Sequence, residues 1–279
     1  MKKLTALLLL LTFSFSVNAE NKIISAGSSI TELILALGAK EQLVGIDITS
    51  RHLDKNEEFP QVGYHRQLST EGLLALNPTH LIGSEVMGPE KTLTLLQQAQ
   101  VEVVKVPSGD RMQDLFARID TLADITDTQK QASMLKESLE EKIENMSHRA
   151  VDNPPKALFM MINEGRPLTI AGNNTTVDVV IDYAGAVNPA KQLIESYKPL
   201  SIEAIIELQP DYILVSQRTW DSLGGQQGIL TKYPLLAATP ASQTDHIIAI
   251  EGSAIIGGFG IESISLSEQL YKQLNPAKK

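Results

Sequence analysis

The triplet Tyr64-His65-Arg66 lies in a polar stretch early in the chain, and its side chains could bind a metal. A tyrosine phenolate is a hard, anionic oxygen ligand that suits ferric iron, and tyrosine is one of the known proximal ligands of haem. A free tyrosine side chain has a pKa of about 10 and is protonated at neutral pH. Metal coordination and a nearby cation such as Arg66 would both favour the phenolate.

The spacing of the triplet predicts which side chains act together. Residues two apart in extended backbone point to the same side, so Tyr64 and Arg66 are expected to share one face. His65 would then point elsewhere, and it ranks below Tyr64 as a ligand. Taken alone, the triplet also fits a surface aromatic beside a charge, so its context has to decide between the two interpretations.

The composition limits the ligands that a metal could have. The 279 residues include no cysteine, which excludes disulfides, zinc–thiolate sites, iron–sulfur clusters and cysteine nucleophiles. Any metal must therefore be held by oxygen or nitrogen. Because 24 Lys and Arg stand against 33 Asp and Glu, the formal net charge is -9, and nucleic acid is not expected as a partner.

Residues 1–19 have the pattern of a secretory signal peptide. Lys2 and Lys3 precede an apolar run that ends in Val17-Asn18-Ala19, which predicts cleavage after Ala19. The alternative is a membrane anchor, but about 14 apolar residues are fewer than the ~20 that a spanning helix needs. With no cysteine to acylate, we expect a soluble periplasmic chain and not a lipoprotein.

The elements that must position the triplet alternate between short β-rich runs and helical patterns. This rhythm predicts an α/β fold with two Rossmann-like lobes and mostly parallel sheets. Apolar residues three or four apart predict one long helix, from about Asp127 to His148, that joins the lobes. The predicted divisions are 20–124 for the N-terminal lobe, 125–150 for the spanning helix and 151–279 for the C-terminal lobe. The triplet falls on a loop between two βα units, where open α/β sheets bind ligands.

An internal repeat supports the two-lobe prediction. Residues 68–78 align with residues 200–210 at an offset of 132, with leucine, serine, glutamate and proline recurring in register. Such a long period does not fit a solenoid and indicates two lobes of similar construction.

Each copy of the repeat predicts a helix that is capped by Ser69 or Ser201 and carries Glu71 or Glu203 in its first turn. A carboxylate at this position complements the positive end of the helix dipole, which is a sufficient structural role. The alternative is that these two acidic points, one on each lobe, dock a partner. The repeat alone leaves both interpretations open.

The chain resembles the haem-binding proteins of bacterial ABC-type haem importers, within the cobalamin/siderophore/haem class of periplasmic substrate-binding proteins. The resemblance covers essentially the whole mature chain. It is carried by the segments 26–32, 62–69, Asn77-Pro78, Gly88-Pro89, 167–172, 197–200, 222–225 and 257–260, and above all by the tyrosine followed two residues later by arginine, which marks the haem branch.

The resemblance implies a role for each matching residue. Tyr64 corresponds to the axial tyrosinate of the haem iron, and Arg66 to the cation that stabilises it. Glu71 and Glu203 match the acidic residues with which this class pairs arginines of the membrane permease, which favours docking over a purely structural role. In the second lobe, Arg166, Arg218 and Trp220 follow predicted strands and are expected to clamp haem propionates or to stack on the porphyrin.

The sequence also departs from the family pattern. Some members supply a second haem ligand, a histidine near the strand that corresponds to residues 159–162, and this chain has none there. A single tyrosine-ligated haem is therefore the preferred interpretation. Near the C-terminus, Phe259-Gly260-Ile261-Glu262 lacks the cation found in many relatives, so propionate contacts are not expected there.

The function that follows is capture of haem in a cleft between the lobes and its delivery, by a monomer, to an ABC importer of the inner membrane. The nearest alternative is a ferric-siderophore or cobalamin binder of the same class. An extracytoplasmic enzyme is a third hypothesis, but the sequence has no Gly-x-Ser-x-Gly, His-Glu-x-x-His or Walker motif.

Overall fold

The computed structural model describes residues 21–147 and 151–275. The signal peptide predicted for residues 1–19, its cleavage after Ala19 and the predicted last residue of the long helix, His148, lie outside these ranges. None of the helices in the two ranges is long and apolar enough to cross a bilayer.

The first lobe is built around a parallel four-stranded sheet of order β2-β1-β3-β4. The strands are β1 (Ile23–Ala26), β2 (Leu43–Ile46), β3 (His80–Ser84) and β4 (Glu102–Val106). The helices are α1 (Ser28–Ala36), α2 (Thr70–Leu74), α3 (Glu90–Gln98) and α4 (Met112–Thr126), and a 3₁₀ turn covers Ile48–Leu53. Because β1 is buried along its whole length, both faces of the sheet must be covered, as in other parallel sheets.

The long helix α5 (Gln129–Ser147) joins the lobes, as predicted. Its apolar stripe packs as expected, with Ala132, Leu139, Ile143 and Met146 buried and Leu135 half-buried in one core cluster. The predicted start at Asp127 is wrong, because Asp127 adopts a left-handed φ of 57° and terminates α4. Helix α4 itself was not predicted.

The second lobe holds a mixed five-stranded sheet of order β7-β6-β5-β8-β9. The strands are β5 (Ala157–Met161), β6 (Thr169–Ala171), β7 (Tyr197–Pro199), β8 (Tyr212–Ser216) and β9 (Ile247–Ile250). The helices are α6 (Thr176–Tyr183), α7 (Ile202–Glu207), α8 (Gln217–Leu223), α9 (Gly225–Lys232), α10 (Pro240–Gln243) and α11 (Ile261–Leu274). Strands β5, β8 and β9 are parallel, whereas β6 runs antiparallel to both β5 and β7. The connection from β5 to β6 is too short for a crossover helix, so the chain must turn back.

The two copies of the repeat form matching helix–strand units. Ser69 caps α2 by accepting from the backbone N–H of Gly72, and Ser201 caps α7 by accepting from that of Ala204. The strands that follow end at Ser84 and Ser216.

The lobes share hydrophobic core. Phe259 and Ile264, from the second lobe, are buried in the same cluster as Ile23 and Leu115 of the first lobe. A shared core resists wide separation of the lobes, because separation would expose these side chains to water.

Candidate functional site

A cleft lies between the lobes at the carboxyl ends of the strands of the first sheet. Ala26 and Ser84, the last residues of β1 and β3, line it together with Thr175 and Tyr197 of the second lobe. We call this part the interface pocket. It continues past Tyr197, Ile255 and Ile256 into a second part lined by residues of the second lobe alone, which we call the second-lobe pocket. The two parts enclose about 840 and 1100 Å³, including space open to solvent.

Tyr64 projects from a loop that is fixed on both sides. The backbone N–H of Ile48 donates to the carbonyl of Gly63 at 2.9 Å, and the N–H of Gly88 donates to the carbonyl of His65, also at 2.9 Å. Gly63 has a φ of 88°, a conformation that favours glycine. The Tyr64 side chain lines the interface pocket and is 41% exposed, so its phenol is available to a ligand.

All three residues of the triplet line the interface pocket. Tyr64 and Arg66 both line this pocket, and both residues are exposed. His65 also lines the pocket, but it is buried, and its Nδ1 lies against the carboxylate of Asp47. The backbone from Tyr64 to Gln67 forms a turn, in which the N–H of Gln67 donates to the Tyr64 carbonyl at 2.7 Å, and alternation of sides holds only for extended backbone.

His65 is held from behind by a buried carboxylate. Its Nδ1 lies 2.8 Å from Oδ2 of Asp47, which is fully buried directly after strand β2. Asp47 also accepts from the hydroxyls of Thr49 and Ser50 at 2.8 Å each. Asp47 was not predicted as a site residue, although a carboxylate that follows a buried strand at the ligand-binding edge of a sheet is a signal for such a role.

Tyr197 faces the cleft from the second lobe and was also not assigned a role. It lines both pockets, and burial, followed by the charge of Asp110, raises the pKa of its phenol to about 12. Its hydroxyl therefore stays protonated at neutral pH and can donate a hydrogen bond to an anionic ligand group.

Asp110 connects the lobes at the edge of the interface pocket. Its Oδ1 accepts from the Thr176 hydroxyl, at the start of α6, at 2.6 Å. Burial raises the pKa of the Asp110 carboxyl, and the hydrogen bond from Thr176 opposes this rise.

The floor of the interface pocket is a glycine-containing segment of the second lobe. The Ser29 hydroxyl donates to the carbonyl of Gly257 at 2.7 Å. Gly258 has a φ of 95°, and a Cβ atom there would lie 2.6 Å from Nη1 of Arg118. Arg118 is buried and donates to the carbonyls of Pro107 and Phe259, one from each lobe. This close approach requires glycine at 258.

The three residues of the second lobe that were predicted to contact haem differ in their positions relative to the cleft. Arg218 is exposed and lines the second-lobe pocket. Arg166 is exposed on the turn between β5 and β6 and lines neither pocket. Trp220 is half-buried against the apolar cluster of the second lobe, and a Cβ atom on Gly225 would lie 3.3 Å from its indole. Trp220 therefore packs within its own lobe, because α8 turns its apolar side towards the core.

Glu71 and Glu203 occupy equivalent positions on the two lobes. Both are exposed, and each lies in the first turn of its helix, α2 or α7. The described residues contain no group of three or more His, Asp or Glu side chains arranged to hold a metal ion.

Comparisons with known proteins identify the architecture. A family model described as "Periplasmic binding protein" matches residues 23–254. The structure of the periplasmic haem-binding protein HutB of Vibrio cholerae superimposes with a TM-score of 0.87 at 45% identity, covering 92% of this chain and all of that one. A periplasmic haem-binding protein of Pseudomonas aeruginosa superimposes with a TM-score of 0.84 at 31% identity, covering 93% of this chain and 94% of that one.

More distant sequence relatives bind a different tetrapyrrole. A vitamin B12-binding protein of Vibrio parahaemolyticus is 23% identical over 203 residues, which are 73% of each chain.

Proposed function

Because the chain belongs to the periplasmic binding protein family, we propose that it captures haem in the cleft between its lobes and delivers it to an inner-membrane ABC importer. The observation that carries this proposal is the placement of Tyr64, whose exposed phenol projects into the interface pocket of a chain that is 45% identical to a haem-binding protein over its length. A phenolate oxygen is a suitable axial ligand for ferric iron.

The surroundings of Tyr64 suit a flat dianionic ligand. Arg66 lines the same pocket and is the proposed cationic partner of the iron-bound phenolate. Arg218 lines the adjoining pocket and is the proposed contact for one propionate, while the protonated hydroxyl of Tyr197 can donate to the other. Arg166 and Trp220 take no part in this proposed contact set, because neither lines the cleft.

Glu71 and Glu203 are the proposed contacts with the permease. Their exposure and equivalent positions on the two lobes suit a pseudo-symmetric partner with arginine side chains. We further propose that the chain is cleaved after Ala19, that it acts as a periplasmic monomer, and that it binds haem without turning it over.

A hemin titration followed by absorption spectroscopy tests the proposal. We expect the wild type to shift the Soret band and to develop the bands of a ferric tyrosinate. Tyr64→Phe should lose those bands and bind hemin at least about tenfold more weakly. Tyr233→Phe is the matched control, because Tyr233 lines neither pocket. Wild-type protein that leaves the hemin spectrum unchanged would reject haem as the ligand.

The vitamin B12-binding relatives motivate the second candidate, a cobalamin or ferric-siderophore binder. Competition of bound hemin with cyanocobalamin and with a ferric siderophore separates the two. Displacement of hemin by an equimolar amount of either competitor would favour the second candidate. Recovery of unchanged haem after long incubation supports binding without turnover.

A further inference from the structure

Three large hydrophobic side chains that are exposed to solvent line the interface pocket. They are Tyr64, Val86, which is 44% exposed, and Ile256, which is 46% exposed. Val86 belongs to the first lobe and Ile256 to the second, so the two aliphatic side chains reach the cleft from different lobes. Apolar surface left open in a groove marks a binding site, because its contact with water is unfavourable. Val86 and Ile256 are therefore candidate ligand contacts beside Tyr64.

A tight turn after β3 holds Val86 at the cleft. The backbone N–H of Met87 donates to the carbonyl of Ser84 at 3.0 Å, and the side chain of Met87 is buried. The N–H of Gly88 donates to the carbonyl of His65 at 2.9 Å, which connects this turn to the loop that carries the triplet. The position of Val86 is thus fixed by its neighbours, while its own side chain stays open to the cleft.

Ile256 is fixed to the first lobe through its backbone. Its carbonyl accepts from the Ser28 hydroxyl at 3.4 Å, and the carbonyl of Gly257 accepts from the Ser29 hydroxyl at 2.7 Å. The side chain of Ile256 lines both the interface pocket and the second-lobe pocket. Ile256 therefore lies where the two parts of the cleft join, and a ligand that extends through both parts must contact it.

The contacts proposed for haem differ in the part of the ligand that they recognise. Tyr64, with Arg66 as its cationic partner, is the one proposed contact that depends on the iron. Arg218 and the hydroxyl of Tyr197 recognise carboxylates. The two aliphatic side chains can contact only the apolar macrocycle. A metal-free porphyrin retains the macrocycle and both carboxylates, so it keeps every contact in this set except those at the iron.

We propose that Val86 and Ile256 hold the porphyrin plane between the lobes independently of the iron, so that the protein also binds metal-free protoporphyrin IX. This rests on the proposed function and extends its ligand class from haem to porphyrins that carry two carboxylates. Burial of the macrocycle against side chains that are already exposed and fixed in place is favourable without a metal bond. The iron then adds affinity through Tyr64, but it does not decide whether the porphyrin enters the cleft.

Binding of metal-free protoporphyrin IX, followed by its fluorescence anisotropy and by competition with hemin, tests the proposal. We expect the wild type to bind protoporphyrin IX and hemin to displace it. Tyr64→Phe keeps the aromatic ring and removes only the hydroxyl, so it should weaken hemin binding at least about tenfold more than protoporphyrin IX binding. The double variant Val86→Ser/Ile256→Ser should bind both ligands at least about tenfold more weakly, because both ligands bury apolar surface against these side chains.

Val187→Ser/Leu193→Ser is the matched control, because both side chains are exposed and line neither pocket. The single variants Val86→Ser and Ile256→Ser replace the double variant if it does not fold.

A wild type that binds hemin but not protoporphyrin IX would overturn the proposal and leave the haem-binding function intact. Three other results would also overturn it: protoporphyrin IX that binds without competing with hemin, equal weakening of both ligands by Tyr64→Phe, or wild-type affinity of Val86→Ser/Ile256→Ser for both. A wild type that binds no hemin rejects the proposed function itself.

Discussion

Nε2 of His52 lies 3.0 Å from Oε1 of Glu262, and this pair joins the 3₁₀ turn of the first lobe to the start of α11 in the second. The hydrogen bond raises the pKa of His52 and lowers that of Glu262. Both side chains remain about one-third exposed. The contact therefore adds a pH-dependent attraction between the lobes beside the shared hydrophobic core.

We expect His52→Gln to destabilise the protein in acid more than in base. A histidine whose pKa is raised by folding contributes stability below its ordinary pKa of 6.5, and this contribution is lost as the pH rises through the folded-state value. Because the pKa of Glu262 is lowered from 4.5, its carboxylate is charged above pH 4.5. The decrease in the free energy of unfolding caused by His52→Gln should thus be greatest between about pH 5 and 6, at about 0.5 kcal/mol for an exposed pair. It should vanish by about pH 9.

Urea denaturation at several pH values measures this loss. Arg51→Gln is the control, since Arg51 pairs with Glu57 at 3.3 Å within the first lobe and makes no contact between the lobes in that pair. An effect of His52→Gln that is equal at pH 5.5 and pH 9 contradicts the prediction.

Glu32 provides a second pH-dependent contact between the lobes. From α1 it accepts from the backbone N–H groups of Ile261 and Glu262 at 3.2 and 2.7 Å, at the start of α11. Burial, together with the charge of Glu262, raises the pKa of Glu32 to about 7, although the two backbone hydrogen bonds and His52 act in the opposite direction.

Glu32→Gln should therefore flatten the pH dependence of stability. Because the folded-state pKa exceeds the ordinary 4.5, the folded protein binds more protons in this range, and its free energy of unfolding falls as the pH rises from 4.5 to 7. As the pH rises from 5 to 8, the free energy of unfolding of the variant should increase by roughly 2 kcal/mol relative to that of the wild type. Parallel stability curves for Glu32→Gln and the wild type would refute this, and Glu41→Gln, at an exposed position, is the control.

Local patterns predicted most of the fold. The alternation of strands and helices, the apolar stripe of α5 and the serine caps of α2 and α7 are confirmed. Each of these features depends on residues close together in the sequence. Helix α4 was missed although Leu115, Ile119 and Leu122 have helical spacing. What the sequence could not predict there is the burial of Arg118, whose guanidinium is held by carbonyls from both lobes.

The candidate site was predictable only in part, for the same reason. Tyr64 and Arg66 form a local motif, and both reach the cleft. The partnership of His65 with Asp47 depends on a turn and on a contact across 18 residues, which local alternation in the sequence cannot predict. Trp220 follows a strand as expected, but it packs half-buried against the apolar cluster of its own lobe and not towards the cleft.

Phe259→Ala should destabilise the whole protein, since Phe259 is fully buried in the core shared by the lobes. Its ring stacks on Tyr183 with centroids 5.6 Å apart. Removing a buried aromatic side chain leaves a cavity and costs about 3–5 kcal/mol. Thermal unfolding should show a large decrease in Tm, whereas Leu193→Ala, which changes a side chain that is 72% exposed, should have little effect. A Tm that is unchanged in Phe259→Ala would mean that this contact does not stabilise the lobe interface.

Glu71→Ala and Glu203→Ala separate the docking role of these carboxylates from their role at the helix starts. If they dock the permease, the double variant should bind hemin as the wild type does, but should need at least about tenfold more protein to stimulate the ATPase activity of the importer in proteoliposomes. Loss of the helix-dipole interaction alone should cost about 0.3–1 kcal/mol of stability per carboxylate and leave stimulation unchanged. Glu207→Ala is the matched control, because Glu207 is exposed at the other end of α7. If the double variant stimulates the ATPase as the wild type does, Glu71 and Glu203 have a structural role only. If the double variant is defective and Glu207→Ala is not, the permease contact lies at the starts of α2 and α7.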